Sequence, residues 1–302
     1  MNPSIGINPI SWTNDDLQYV GGEVSLQSCL SQAKQAGFEG VELGHKFPRD
    51  AAKLKPILAE HGLRLVSGWY SCHLLGQDAK SEARDMQAHA SLLQAMGCRV
   101  IIFAEVTGCI HGEPNTRLSQ RPKISSSEWR QFGQRMSETA KVAADYGLEL
   151  CYHHHMGTVV QSAEDIDALM EHTTDDVRLL LDSGHARFAG ADPVQLAKTY
   201  LGRIGHVHCK DIRPQVLAAC LNRDCSFLDA VLDGVFTVPG DGFIDFPGIF
   251  RELARIDYSG WIVVEAEQDP SVAPSLHYAS LGHQNLQAIV GGATAPTGVG
   301  RR

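Results

Sequence analysis

No stretch of this 302-residue chain approaches the roughly 18 consecutive apolar residues that a membrane-spanning helix needs. The N-terminal MNPSIGINPISW has no basic segment followed by an apolar run, so no secretory leader is expected. Basic residues are in the minority: 26 Lys and Arg face 35 Asp and Glu, a formal net charge of -9. Phosphate backbones recruit lysine and arginine, so a nucleic-acid-binding surface is not expected. The eight cysteines form no Cys-x-x-Cys pair, which counts against a zinc ribbon or a dithiol redox centre. Cys151 and Cys209 sit inside apolar runs, as reduced core cysteines do, and a cytoplasmic location is expected. No Gly-x-Gly-x-x-Gly follows an apolar run, which counts against an open dinucleotide-binding sheet.

What is present is an alternation. Short runs rich in Val, Ile and Leu occur at Ser4–Asn8, Gly40–Leu43, Arg64–Trp69, Arg99–Glu105, Leu148–His153, Arg178–Asp182, His206–Lys210 and Ile262–Glu265. Such runs suit parallel strands covered on both faces. Amphipathic stretches lie between them: Ser25–Ala36, Asp50–His61, Asp85–Met96, Ser127–Tyr146 and Ser162–His172. Four of these end at a glycine, Gly37, Gly62, Gly97 or Gly147, the residue that best tolerates a left-handed helix cap. Ser162 with Asp165 reads as a capped helix start. Repeated strand–helix units imply right-handed parallel crossovers, and eight of them predict a (β/α)8 barrel, the TIM-barrel class of α/β folds. The expected organisation is one barrel domain over residues 1–290, followed by a disordered tail at 291–302 that is rich in Gly, Ala and Pro. Two connections, Thr107–Ser126 and Ile212–Gly242, are longer than ordinary strand-to-helix loops. Both follow strand ends, where a lid or substrate wall would lie.

Barrel active sites gather at the C-terminal ends of the strands. Here those ends carry Glu42, Glu105, the run His153–His154–His155, Asp182 with His185, then His206, His208 and Lys210, and finally Glu265 with Glu267. Strand alternation puts Glu149, Cys151 and His153 on one face, and His206, His208 and Lys210 on another inward face. Glu149 lies about 13 Å below His153 at 3.3 Å per residue, too deep for the same site. Two imidazoles and two carboxylates at one rim suit a divalent transition metal, with mixed nitrogen and oxygen ligands.

These strand ends resemble the xylose-isomerase-like barrel superfamily, whose signature is one ligand from each of strands five to eight. The resemblance implies His153, Asp182, His208 and Glu265 as metal ligands, with His155 as the substitute on strand five. The strings GINPISWTNDD, GFEGVELGHKFP, EVTGCIHG, YHHHMGT, PGDGFIDFPGI and WIVVEAEQDP further resemble the inosose dehydratase family of myo-inositol catabolism. That resemblance covers most of the chain. It implies dehydration of a cyclic polyhydroxy ketone, 2-keto-myo-inositol, with manganese or cobalt, and a link to glutathione. Most superfamily members have glutamate where His153 stands here. A neutral ligand lowers the negative charge of the site and removes one carboxylate base, which weakens an epimerase reading.

Dehydration next to a ketone needs a polarised carbonyl, a base for the α-proton and an acid for the departing hydroxyl. Glu265, His155, His185 and Lys210 are the candidates for proton transfer. Glu42 and Glu105 are expected to bind substrate hydroxyls, and Trp12, Asn14, Trp69 and Ser71 to form pocket walls. The expected partner is a small molecule, with neither nucleic acid nor membrane; assembly into a homo-oligomer stays open. The alternatives are a sugar or inosose isomerase or epimerase on the same barrel, and a non-enzymatic polyol-binding module.

Overall fold

A computed structural model describes residues 1–293. Eight parallel strands close into a barrel: β1 (Ser4–Ile7), β2 (Gly40–Leu43), β3 (Arg64–Cys72), β4 (Val100–Glu105), β5 (Glu149–His153), β6 (Val177–Asp182), β7 (Ile204–Cys209) and β10 (Trp261–Val264). Between the last two lies a short antiparallel ribbon, β8 (Asp211–Ile212) against β9 (Phe236–Thr237). Pairing runs β1–β10–β7–β6–β5–β4–β3–β2 and back to β1. This is the (β/α)8 barrel expected from the repeated strand–helix units.

The helices are α1 (Leu26–Ala36), α2 (Ala51–Glu60), α3 (Ala79–Met96), α4 (Trp129–Asp145), α5 (Ala163–His172), α6 (Ser183–Phe188), α7 (Pro193–Thr199), α8 (Pro214–Arg223), α9 (Phe227–Leu232), α10 (Phe246–Ala254) and α11 (Ser275–Ala293). Ser25, Asp50 and Ser162 cap their helices as the sequence suggests, the last in a capping box with Asp165. The four glycines expected past helix ends all have positive φ. Helix α3 starts at Ala79, a turn and a half before Asp85. Its first turns have little apolar periodicity, and Asp78, accepting from the Ser81 amide, sets the boundary. Helix α11 runs to Ala293, and the rest of the tail expected to be disordered lies outside the described residues.

Apolar faces such as Leu30 and Ala33 of α1, Leu54 and Leu58 of α2, and Met86 and Leu93 of α3 are buried in one cluster with the barrel strands. Each fully buried aliphatic side chain contributes about 1.5–3 kcal/mol. Inside the bore, Val100, Ile102, Cys151 and Leu180 form a separate layer with Trp69 packed against it. This layer divides the barrel interior into two ends. The long Ile212–Gly242 connection is itself folded: α8, α9 and the ribbon enclose a second core that includes Phe227, Val231 and Phe236. The other long connection leans on it, through the Leu118 amide to Cys225 O and Ser119 to Asp224.

Candidate active site

Register brings the ligand-type residues together. Asp182 pairs with His208 across β6 and β7, and Val263 pairs with His208 across β10 and β7, so Glu265 emerges just above. His153 ends β5 beside Leu180. His153 Nε2 is 3.4 Å from Asp182 Oδ2; His208 Nδ1 is 3.5 Å from that oxygen and 2.9 Å from Glu265 Oε2. Ligand atoms of all four residues lie within 4.8 Å of one another, and all four are buried. Asp182 Oδ2 and His208 Nδ1 are buried without a hydrogen-bond partner. Buried polar atoms are rarely left so, and two such lone-pair carriers turned to one centre fit a divalent cation.

The groups behind the ligands are hydrogen-bonded. His208 Nε2 lies 3.2 Å from Glu42 Oε1, so the ring can donate there while Nδ1 stays free to ligate. Glu42 Oε1 also accepts from Ser67 at 2.6 Å and faces His206 Nε2 at 2.9 Å, and its Oε2 accepts from Asn8 at 2.7 Å. Burial alone would push the Glu42 carboxyl up, but His208 and His206 outweigh it and hold it well below the carboxylate range. Burial likewise opposes the charge of Asp182, and His185 and Lys210 more than offset it, holding that carboxyl low as well.

Beside the four-residue group stands a second one. Lys210 Nζ, fully buried, is 2.7 Å from Glu265 Oε1, 2.5 Å from Glu267 Oε1 and 3.0 Å from His185 Nε2. Glu265 thus spans both groups. Burial raises its carboxyl, but His208 and Lys210 pull it down to about 2. Glu267 goes the other way: burial lifts it to about 7 against the pull of Lys210. Burial disfavours the Lys210 ammonium, yet Glu265 and Glu267 keep it protonated, with its pKa raised. Space for this lysine comes from Gly184, where a Cβ would lie 2.5 Å from Lys210 Cγ. Phe236 lies under the ammonium at 4.6 Å, and Phe227 packs on the His155 and His185 rings at 5.0 and 5.8 Å. The folded connection therefore roofs this side with apolar rings that exclude water.

His155 Nδ1 is 2.8 Å from Met156 O. A carbonyl can only accept, so Nδ1 carries the proton and Nε2 keeps its lone pair. Burial, reinforced by His111 and His153, holds the ring neutral by pushing its pKa well below the usual value. His155, His208, Glu265 and Glu267 line a cavity of about 240 Å³. A larger open cavity, about 910 Å³, occupies the opposite end of the barrel around Glu149, Arg178 and Trp261. It includes no metal-ligating cluster among the described residues, so size alone does not locate the chemistry.

The sequence-based candidates separate on this geometry. His153, not His155, stands with Asp182, His208 and Glu265, whereas His155 groups with His185 and Glu267. Trp69 and Ser71 line the small cavity, joined by an indole-to-hydroxyl bond of 2.8 Å. Glu42 reaches the cavity, but both its oxygens are engaged. Trp12 is in the core, donating to Gln32 of α1 at 2.7 Å. Asn14 holds a turn, its Oδ1 accepting from the Asp16 and Leu17 amides at 2.8 and 2.7 Å. Glu105 anchors loops through the Leu75 and Thr107 amides. Asn8, Asp16 and His111 also line the cavity, although the sequence alone does not single them out, and Glu267, visible at a strand end, has no role assigned by sequence. Asn8 ends the first apolar run, a strand-end signal sufficient to find it.

Residues 30–287 match the xylose isomerase-like TIM barrel family. The chain is 46% identical over 293 residues to the Rhizopine catabolism protein MocC of Rhizobium meliloti, covering 97% of this chain and 90% of that protein. It is 42% identical to an inosose dehydratase of Histophilus somni, covering 96% and 98% of the two chains. An inosose dehydratase of Geobacillus thermodenitrificans is also 42% identical, with 95% and 97% covered. Among solved structures, an IOLI protein with a zinc atom superposes with a TM-score of 0.64 at 16% identity, covering 96% of this chain and 97% of that one. The probable 3-DHS dehydratase AsbF of Bacillus anthracis gives 0.64 at 17%, covering 94% and 98%. Matched along nearly its whole length, the chain belongs to the inosose dehydratase family of xylose isomerase-like TIM barrels.

Proposed function

We propose that this enzyme removes water from 2-keto-myo-inositol to give a trihydroxycyclohexane-1,2-dione. The observation that carries the mechanism is the fixed tautomer of His155. His155 lines the small cavity along with His208 and Glu265, and its Nε2 keeps the lone pair that a base for the α-proton needs. The α C–H bond breaks to His155, and the hydroxyl on the adjacent carbon leaves as water with a proton from the Lys210–Glu267 pair. The resulting enol tautomerises to the second ketone, so no oxidant is required. Glu265 and Glu267 hold the Lys210 ammonium in place, with the His185 ring beside it. Glu265 serves as a ligand rather than a base, because the neighbouring His208 and Lys210 depress its basicity.

His153, Asp182, His208 and Glu265 would hold a divalent cation, and their nitrogen and oxygen donors suit manganese or cobalt. That cation would supply Lewis-acid polarisation of the ketone. Glutathione, implied by the resemblance, enters no step of this redox-neutral chemistry. A cytoplasmic setting belongs to the same proposal, supported by eight unpaired cysteines.

An epimerase would need competent bases on both faces of the substrate ring, and His153 stands where a second carboxylate would serve. The test is incubation of the metal-loaded protein with two inosose isomers, followed by mass spectrometry. Loss of one water is expected. A new stereoisomer of unchanged mass would assign the epimerase reaction instead.

A further inference from the structure

The strings WTNDD and GCIHG are absorbed by neither the ligand set nor the proton-transfer groups, yet the first delivers Asp15 and Asp16 to the cavity and the second His111; Asp15 is engaged by His45 Nδ1 at 2.6 Å. Asp16, from the β1–α1 connection, and His111, from the β4–α4 connection, both line it. Their side chains are 28% and 14% exposed, which places them at its mouth. Each is held by local structure. The Asn14 side chain accepts the Asp16 and Leu17 amides and fixes the turn that presents Asp16. The Ile110 amide donates to Gly157 O at 2.9 Å, which docks the β4–α4 connection on the loop after His155. Gly157 has φ +78°, and a Cβ there would lie 2.9 Å from the His111 amide nitrogen. Only glycine fits at this approach. The His111 ring then stands 5.2 Å from the His155 ring.

His111 Nε2 and Asp16 Oδ1 are 3.9 Å apart, too far for a hydrogen bond. His111 Nδ1 is buried and has no partner. With Nε2 protonated, the pair presents a donor and an acceptor across a gap that one hydroxyl oxygen can bridge at about 2.8 Å from each. A hydroxyl is a group that accepts from the imidazole and donates to the carboxylate at once. A C–H bond at that point satisfies neither.

We propose that Asp16 and His111 form a hydroxyl-reading clamp that selects substrates bearing a ring hydroxyl at the position it grips. This rests on the cyclic polyhydroxy ketone reading and extends it to specificity. Sites built to bind a hydroxyl discriminate strongly against the deoxy analogue. At this partly solvated mouth the expected factor is about 10–100 in Kd, or about 1.4–2.8 kcal/mol.

Calorimetric titration of the metal-loaded enzyme with inosose and with a series of monodeoxy inososes tests the proposal without requiring turnover. Asp16→Ala and His111→Phe are each expected to weaken inosose binding by that factor while metal content stays at the wild-type level. One deoxy analogue should bind wild type as weakly as inosose binds the variants, with no further loss when variant and analogue are combined. Unchanged affinity in both variants, or equal losses for every analogue, overturns the clamp. If wild type binds inosose selectively but eliminates no water, the clamp stands and the dehydratase proposal falls. If inosose does not bind at all, both fall. Circular dichroism is the check that each variant folds, and Asp16→Ala at the partly exposed mouth provides the test should His111→Phe not fold.

Discussion

Glu265 meets Lys210 at 2.7 Å through Oε1, while its Oε2 lies 2.9 Å from His208 Nδ1. One carboxylate therefore couples the four-residue group proposed to hold the metal to the ammonium, and its charge serves both. Glu265→Gln keeps the shape and removes the charge. Metal affinity is expected to fall by at least about 10–100-fold, the range known for lost supporting groups. Metal content after dialysis should drop in Glu265→Gln and in Asp182→Ala. Equal content in wild type and both variants would dismiss the metal centre.

Lys210→Met should be costly in two separable ways. It leaves Glu265 and Glu267 buried without their cation, which typically destabilises by about 3–5 kcal/mol. It also removes the proposed proton donor, expected to lower kcat by about 10²–10⁴-fold. Adding Glu267→Gln should recover part of the stability and none of the rate. Urea midpoints and turnover on the single and double variants separate the effects; a double variant no more stable than the single would argue against the buried pair as the cause.

Acid should weaken the fold through neutral buried histidines. Burial holds His154 at about 3 and pushes His155 and His185 well below the usual value. The unfolded chain protonates these rings near pH 6.5, the folded one only far lower, so the unfolded state binds more protons in between. Stability is complete above about pH 6.5 and falls as pH drops toward 3, by at most about 1.4 kcal/mol per pH unit for each ring. Glu267, lifted to about 7, gains stability over the same range, so urea midpoints at pH 7.0 and 5.5 are compared in a Glu267→Gln background, both in chelator so that metal loss plays no part. Identical midpoints would mean these rings are not buried neutral.

Two glycines with positive φ separate steric from conformational strain. Gly147 has φ +71° with nothing within 4 Å of where a Cβ would lie, whereas Gly157 has φ +78° and a backbone nitrogen at 2.9 Å. Gly147→Ala should cost about 1 kcal/mol, and Gly157→Ala clearly more. Thermal unfolding compares them. A smaller loss at Gly157 would show that the two loops are not docked as described.

The barrel is legible in the sequence because apolar runs, caps and terminal glycines all point to the same alternation. The four-residue cluster is legible for a related reason: His153, Asp182 and Glu265 each follow an apolar run, where nothing in the strand calls for such a residue. The cavity wall is less so. Trp12 and Asn14 are near the site in sequence, but a side chain's partner decides its role, and theirs are Gln32 and the turn amides. Glu105 sits at a strand end like the others, yet loop amides claim it. Asp16 and His111 meet only because the Ile110 amide reaches Gly157, a contact across 47 positions that no local pattern reveals.

Gly184 leaves room for the stem of Lys210, with a hypothetical Cβ only 2.5 Å from Cγ. The two positions are consequently bound by a shared volume. In related chains, a larger residue at the position of Gly184 is expected only where the lysine has given way to something shorter. Paired substitution at these sites would then mark lineages that have changed how the leaving group is protonated, and mixed pairs would be missing from the record of sequences.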